Sequence, residues 1–169
     1  MRRITLAVPI VAVALGAFAF QPERPQWLTE RPFAEVIAET LDDFHDAAAE
    51  ADAERYFGHF TPDAVFLGTD PTERWTVAEF RAWAAPYFER DSGWTYHAIE
   101  RHVSLASCGQ VAWFDEVVRN ATYGDLRGTG VLVLSEGRWR IAQYNLTFQV
   151  PNEVAGELLD LVAKRRAAN

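Results

Sequence analysis

A lone cysteine, Cys108, removes two classes of protein at once. No internal disulfide can form, and no cysteine-based metal cluster can be assembled. Beside Gly109, Cys108 reads as a small residue near a turn rather than a reactive thiol. Basic stripes are equally scarce. The net charge is −8, and the cations are scattered apart from Lys164, Arg165 and Arg166 near the end. Nucleic-acid binding rests on phosphate contacts, so an acidic chain without a basic face is not built for that partner. No serine or cysteine nucleophile constellation stands out. The "GDLRGTG" stretch lies between strand patterns rather than before a helix, which makes it a hairpin and not a phosphate cradle. His97 alternates with Glu100 and His102 along a strand, so the three cannot converge on one ion. Neither metal nor cofactor is expected.

Long apolar runs are missing too, except at the start. Arg2 and Arg3 precede an apolar run from Ile4 to Phe20, and Ala17, Phe18 and Ala19 form a small-x-small cleavage pattern. This is the layout of a secretory signal peptide over residues 1–19, followed by a proline-punctuated linker over 20–32. An uncleaved anchor is the alternative, since the run is about long enough to span a thinned bilayer. Export is expected, to the periplasm or the exterior, with no membrane contact beyond such an anchor. Cleavage after Ala19 would leave a charge of −8 − 2 = −10.

What is present is enough for one core: 169 residues, 49% hydrophobic and 13% aromatic, so a single domain over 33–166 suffices. Phe33, Ile37, Leu41, Phe44 and Ala48 recur at helical spacing, with Pro32 suited to the first turn. A short helix is predicted over 52–60 and a short strand over 64–68. Thr76 and Glu79 form a capping box that opens a third helix bearing Phe80, Trp83, Tyr87 and Phe88. Four strands follow, over 94–107, 111–123, 127–135 and 138–150, with Gly109, Gly124 and Gly137 at the turns. Residues 153–166 make a closing amphipathic helix, acids first and bases last. The sequons at Asn120 and Asn145 fall in or beside strands and carry little weight. Helices followed by antiparallel strands imply an α+β fold with helices on one side of a curved sheet. The strands are apolar on both faces, and the helices can cover only one. A homodimer through the outer face is therefore expected.

Five blocks in order, "FTPDAVFLGTDPTERW", "GWTY", "VAWFDEVV", "YGDLRGTGVLV" and "GRWRIAQYNLTFQVPNE", resemble the SnoaL-like domains of the nuclear transport factor 2-like superfamily over about residues 33–163. The resemblance implies a cone: a bent antiparallel sheet wraps the N-terminal helices, encloses a pocket and dimerises through its outer face. Related cones include polyketide cyclases, steroid isomerases, epoxide hydrolases and dehydratases, beside non-catalytic modules. Fold alone therefore leaves the chemistry open. The steroid-isomerase site does not carry over, because it needs a tyrosine on the first helix, where this chain has Phe33, Phe44 and His45.

Candidate site residues follow from strand parity. In "VAWFDEVVRN" the adjacent Asp115 and Glu116 must face opposite ways. The face bearing Trp113, Asp115 and Val117 is taken as inward, since a large aromatic and a single polar residue suit a pocket wall. That leaves Glu116 at the rim or dimer face. Two roles are open for Asp115: a general acid or base in an apolar cavity, or an ion-pair partner of Arg101 or Arg119. His97 is a second catalytic candidate as a proton shuttle, the alternative being a hydrogen-bonded wall residue. On the last strand the resemblance implies that Trp139 and Ile141 pack inward, which would carry Gln143 and Asn145 into the pocket beside Trp113 and Tyr144. Arg101 is a further binding candidate, and in "GTDPTERW" Asp70 and Trp75 are binding candidates too, or part of an Asp–Arg surface pair and an anchor. Tyr56 and Tyr123 are candidate hydroxyl donors, although packing alone would justify both. His45 and His59 are assigned helix surfaces or ends, without chemistry. The expected partner is a small hydrophobic molecule. Its handling is either by a cofactor-independent acid/base enzyme or by a non-catalytic binding or dimerisation module.

Overall fold

The computed structural model describes residues 32–90 and 93–168. The signal, linker and anchor readings therefore lie outside the described residues, apart from Pro32. In chain order the elements are α1 (Phe33–Ala49), α2 (Ala53–Gly58), β1 (Phe60–Leu67), β2 (Arg74–Thr76), α3 (Val77–Phe88), β3 (His97–Leu105), β4 (Val111–Asn120), β5 (Gly124–Ser135), β6 (Arg138–Phe148), a 3₁₀ turn (Asn152–Val154) and α4 (Ala155–Ala167).

The α1 periodicity is realised from Ile37 onward: Ile37, Leu41, Phe44, Ala47 and Ala48 are buried on one face, while Phe33 is half-buried. The capping box opens α3 with both of its bonds, from the Glu79 N–H to the Thr76 hydroxyl and from the Thr76 N–H to the Glu79 carboxylate. Gly109, Gly124 and Gly137 take φ of 69°, 73° and 77° at the three hairpin turns, a left-handed conformation that a Cβ resists.

The sheet is curved and open, with strand order β2-β1-β6-β5-β4-β3. It is mixed rather than wholly antiparallel, because β1 runs parallel to β6 while the other pairs are antiparallel. β1 also starts earlier than expected, at Phe60, where burial of Phe60 and Thr61 outweighs the turn character of Thr61-Pro62-Asp63. The "GDLRGTG" stretch is itself the start of β5, and the turn falls at residues 121–123. There Asn120 Oδ1 accepts the N–H groups of Thr122 and Tyr123.

Helices α1 to α3 cover the inner sheet face, and Arg55 ties α2 to α1 through Asp43, Asp46 and Glu50. The closing helix differs from its expectation. No residue of α4 is buried, so its apolar positions do not close the domain core.

Two bulges decide which side chains meet under the helices. In β6, Ile141 pairs with Leu132 but Gln143 pairs with Val131, which leaves Ala142 as an extra residue. A bulge resets the alternation of faces. Trp139 and Ile141 point inward, and beyond the bulge Tyr144 and Leu146 do so in place of Gln143 and Asn145. In β3 a shift at Ile99 likewise places Arg101, Val103 and Leu105 opposite Glu116, Phe114 and Ala112.

Candidate functional site

The inward carboxylate is Glu116. On β4, Ala112, Phe114, Glu116 and Val118 are buried, whereas Trp113 is 50% exposed and Asp115 is also exposed on the outer face. Trp113 as a pocket wall, and Asp115 as the inward acid, are thus corrected by one residue of parity. The helix-covered face excludes water from the other set. Gln143 is exposed and Asn145 half-buried on the outer side of β6, for the bulge reason given above.

Four elements converge on Glu116. From β3, directly opposite, Arg101 Nε donates to Oε2 at 2.8 Å. From α1, His45 Nε2 lies 2.8 Å from Oε1, and from β6 the Tyr144 hydroxyl donates to Oε1 at 2.9 Å. Arg101 is held in turn by the Asp42 carboxylate at 2.8 Å and by the Ala38 carbonyl at 3.0 Å. Ala38, Asp42 and His45 are spaced i, i+4, i+7, one stripe of α1 laid over β3 and β4. Room for this network comes from β5. Gly128 faces Glu116 across the pair, and a methyl group there would overlap the Tyr144 hydroxyl and lie 3.0 Å from Glu116 Cγ.

The electrostatics match the geometry. Burial works to raise the Glu116 pKa, but the hydrogen bond and charge of His45 and those of Arg101 outweigh it, so the pKa is lowered. Burial, with the Glu116 charge beside it, pushes the Tyr144 phenol well above the ordinary range, which keeps it a donor. Arg101 is raised, because its two carboxylates prevail over its burial. The Glu116 side chain is fully enclosed, so no ligand touches it in this arrangement. His45 was expected on a helix surface; it is buried, yet it lines a hollow of about 230 Å³ with Asp42, Asp46, Tyr96 and His97. His97 is exposed there.

A larger opening lies at the α3 side of the same inner face. Trp75 from β2, Phe80, Trp83 and Tyr87 from α3, Trp94 and Tyr96 before β3, Tyr123 and Phe148 line a cleft of about 390 Å³, together with Phe66, Glu73 and Thr69. The capping box fixes the α3 rings against Trp75, with centroids 5.4 Å apart for Trp75–Phe80 and 5.0 Å for Trp75–Trp83. Tyr96 borders both openings, and Phe66 stacks on Tyr144 at 5.7 Å, so one aromatic layer separates cleft from network.

Of the binding candidates, Trp75 and Tyr123 line this cleft, and Arg101 and Tyr144 belong to the network. Asp70 is exposed and accepts from Thr72 instead. Tyr56 is a core residue, 1% exposed and stacked on Phe44. Sequence reasoning missed Glu116, His45 and Gly128. The readable signal was the spacing Leu126-x-Gly128-x-Gly130-x-Leu132: two side-chain-free positions on an inward face, opposite Glu116 and Phe114. Among the described residues no group of three or more His, Cys, Asp or Glu side chains is arranged to hold a metal ion.

An open curved sheet over three helices, with hollows at the margins of its inner face, is the architecture of nuclear transport factor 2-like domains. A domain of unknown function with a cystatin-like fold from Nostoc punctiforme PCC 73102 superposes with a TM-score of 0.63 at 19% identity, over 80% of this chain and 91% of that one. An NTF2-like protein of unknown function from Pseudomonas putida KT2440 gives 0.60 at 14% identity, over 72% and 92%. The chain belongs to the SnoaL-like domain family, which it matches over residues 37–151. No curated protein matches it.

Proposed function

We infer that this SnoaL-like domain is an exported binding protein for a small hydrophobic molecule, which it takes up in the aromatic cleft. The observation that carries the reading is apolar surface left open where the rest of the inner face is packed: Trp83 is 43% exposed, Tyr123 59% and Phe148 47%, all around one cleft of ligand size. A paired outer face belongs to the same reading, since Trp113 stands exposed there beside Val131 of β5. The test is fluorescence titration with 2-naphthol, a neutral aromatic probe that the cleft's tryptophans would report. Saturable quenching that Trp83→Ala weakens about tenfold or more is expected. Quenching that never saturates would remove the reading.

A second reading, acid/base catalysis, is favoured by one observation. His45 is buried, bonded through Nε2 to a carboxylate, and borders a hollow. A carboxylate that fixes one ring nitrogen orients the other for proton transfer. In that reading His45 moves the proton and Glu116 positions it. Turnover of an epoxide or enol-ester panel that disappears in His45→Gln would support it.

A further inference from the structure

Glu73 is the one carboxylate among the residues lining the aromatic cleft, and none of them is a lysine, arginine or histidine. It is half-buried and seated against Gly68, where a Cβ would overlap its Oε2. The Asp70 N–H donates to Oε2 at 3.1 Å, but among the described residues no cation pairs with it. A half-buried carboxylate with no cation beside it is complementary to an opposite charge. The rings nearby are suited to the same partner, since an aromatic face attracts a cation within about 6 Å of its centroid. The chain uses this attraction itself: Arg90, outside the cleft lining, places its guanidinium 5.6 Å from the Tyr87 centroid.

We propose that the cleft takes an organic cation with an apolar body, a quaternary or protonated amine, whose charge faces Glu73 and whose body lies against Trp75, Trp83 and Tyr87. The proposal rests on the reading of the cleft as a binding site and narrows its ligand class. A hydrophobic anion would meet Glu73 as a like charge and be disfavoured.

The experiment compares phenyltrimethylammonium with its neutral isostere tert-butylbenzene by fluorescence titration, with 2-naphthol as the probe of the cleft itself. The wild-type protein is expected to hold the cation about tenfold tighter than the isostere. Glu73→Gln keeps the shape and should erase that preference, so that the cation and its isostere bind alike in the variant. Gly68→Ala, whose Cβ would overlap the Glu73 carboxylate and displace it, should erase the preference as well. Binding of 2-naphthol with no cation preference would overturn the proposal and leave the cleft as a neutral hydrophobic site. A preference that survives both substitutions would also overturn it, because Glu73 would then not be its source. Failure of all three probes to bind would overturn the proposal and the binding reading together.

Discussion

The Glu116 network and the aromatic cleft sit on the same inner sheet face, one aromatic layer apart, and are built on opposite principles. In the network the central charges are buried and paired: Glu116 meets Arg101, His45 and Tyr144, and Arg101 reaches out to the exposed Asp42. In the cleft, rings are exposed and one carboxylate has no counter-ion among the described residues. Satisfied polar groups hold a fold; unsatisfied surface is what a ligand can use. On the proposed reading, the difference separates residues that keep the domain folded from residues that would contact a guest. It also shows why a buried acid near a hollow is weak grounds for catalysis unless a substrate can reach it.

The comparison is broken most severely at its centre. Glu116→Gln removes one charge and leaves Arg101 buried with less to face, so a loss of about 3–5 kcal/mol is expected in urea unfolding. Cleft binding of 2-naphthol should be unchanged in the protein that remains folded. Retained stability would mean that the network holds less of the fold than its geometry implies.

Next in size is Gly128→Ala, which drives a methyl group into the Tyr144–Glu116 contact and should cost about 1–3 kcal/mol by thermal unfolding. If Gly128→Ala were neutral, the inner face would be looser than a packed core.

Acid should find the same network. The folded Glu116 pKa is lowered below the ordinary value of 4.5, so in the window between the two the unfolded chain binds more protons. Its contribution is therefore complete above about pH 4.5 and is lost as pH falls through the folded value. The stability gap between wild type and Glu116→Gln should narrow on acidification, measured by urea midpoints from pH 7 to pH 3. A gap independent of pH would place the cost in packing rather than charge.

Cleft and outer face give the smallest effects on stability. Trp83→Ala, at a ring that is already 43% exposed, should cost about 1 kcal/mol of stability while weakening binding about tenfold or more. Asp115→Asn, one residue from Glu116 and on the opposite face, should stay within about 0.5 kcal/mol. Matching losses at Asp115 and Glu116 would erase the distinction between the two sides of β4.

Much of the scaffold was legible because its signals are local. The α1 stripe, the Thr76–Glu79 capping box and the glycines at 109, 124 and 137 each depend on residues a few positions apart. The candidate site was legible only in part. Trp75, Tyr123, Arg101 and Tyr144 lie where polar or aromatic residues matter, but strand parity alone chose the wrong face of β4. Asn145 and Gln143 were misplaced because a single extra residue at Ala142 reverses every side chain after it. Nothing in "RIAQYN" marks that bulge.

By itself the sequence determined the four helices, five of the six strands, their order and the α+β class, but not the short β2, since helix and strand periods, caps and turn residues act over short range. It also determined membership of the SnoaL-like family, carried by blocks in a set order. Only the tertiary structure decided which carboxylate is sealed, which histidine joins it and which rings stay open. Each of those outcomes depends on register between strands distant in the chain and on which face three helices cover, and register is set by the sum of long-range packing rather than by any one segment.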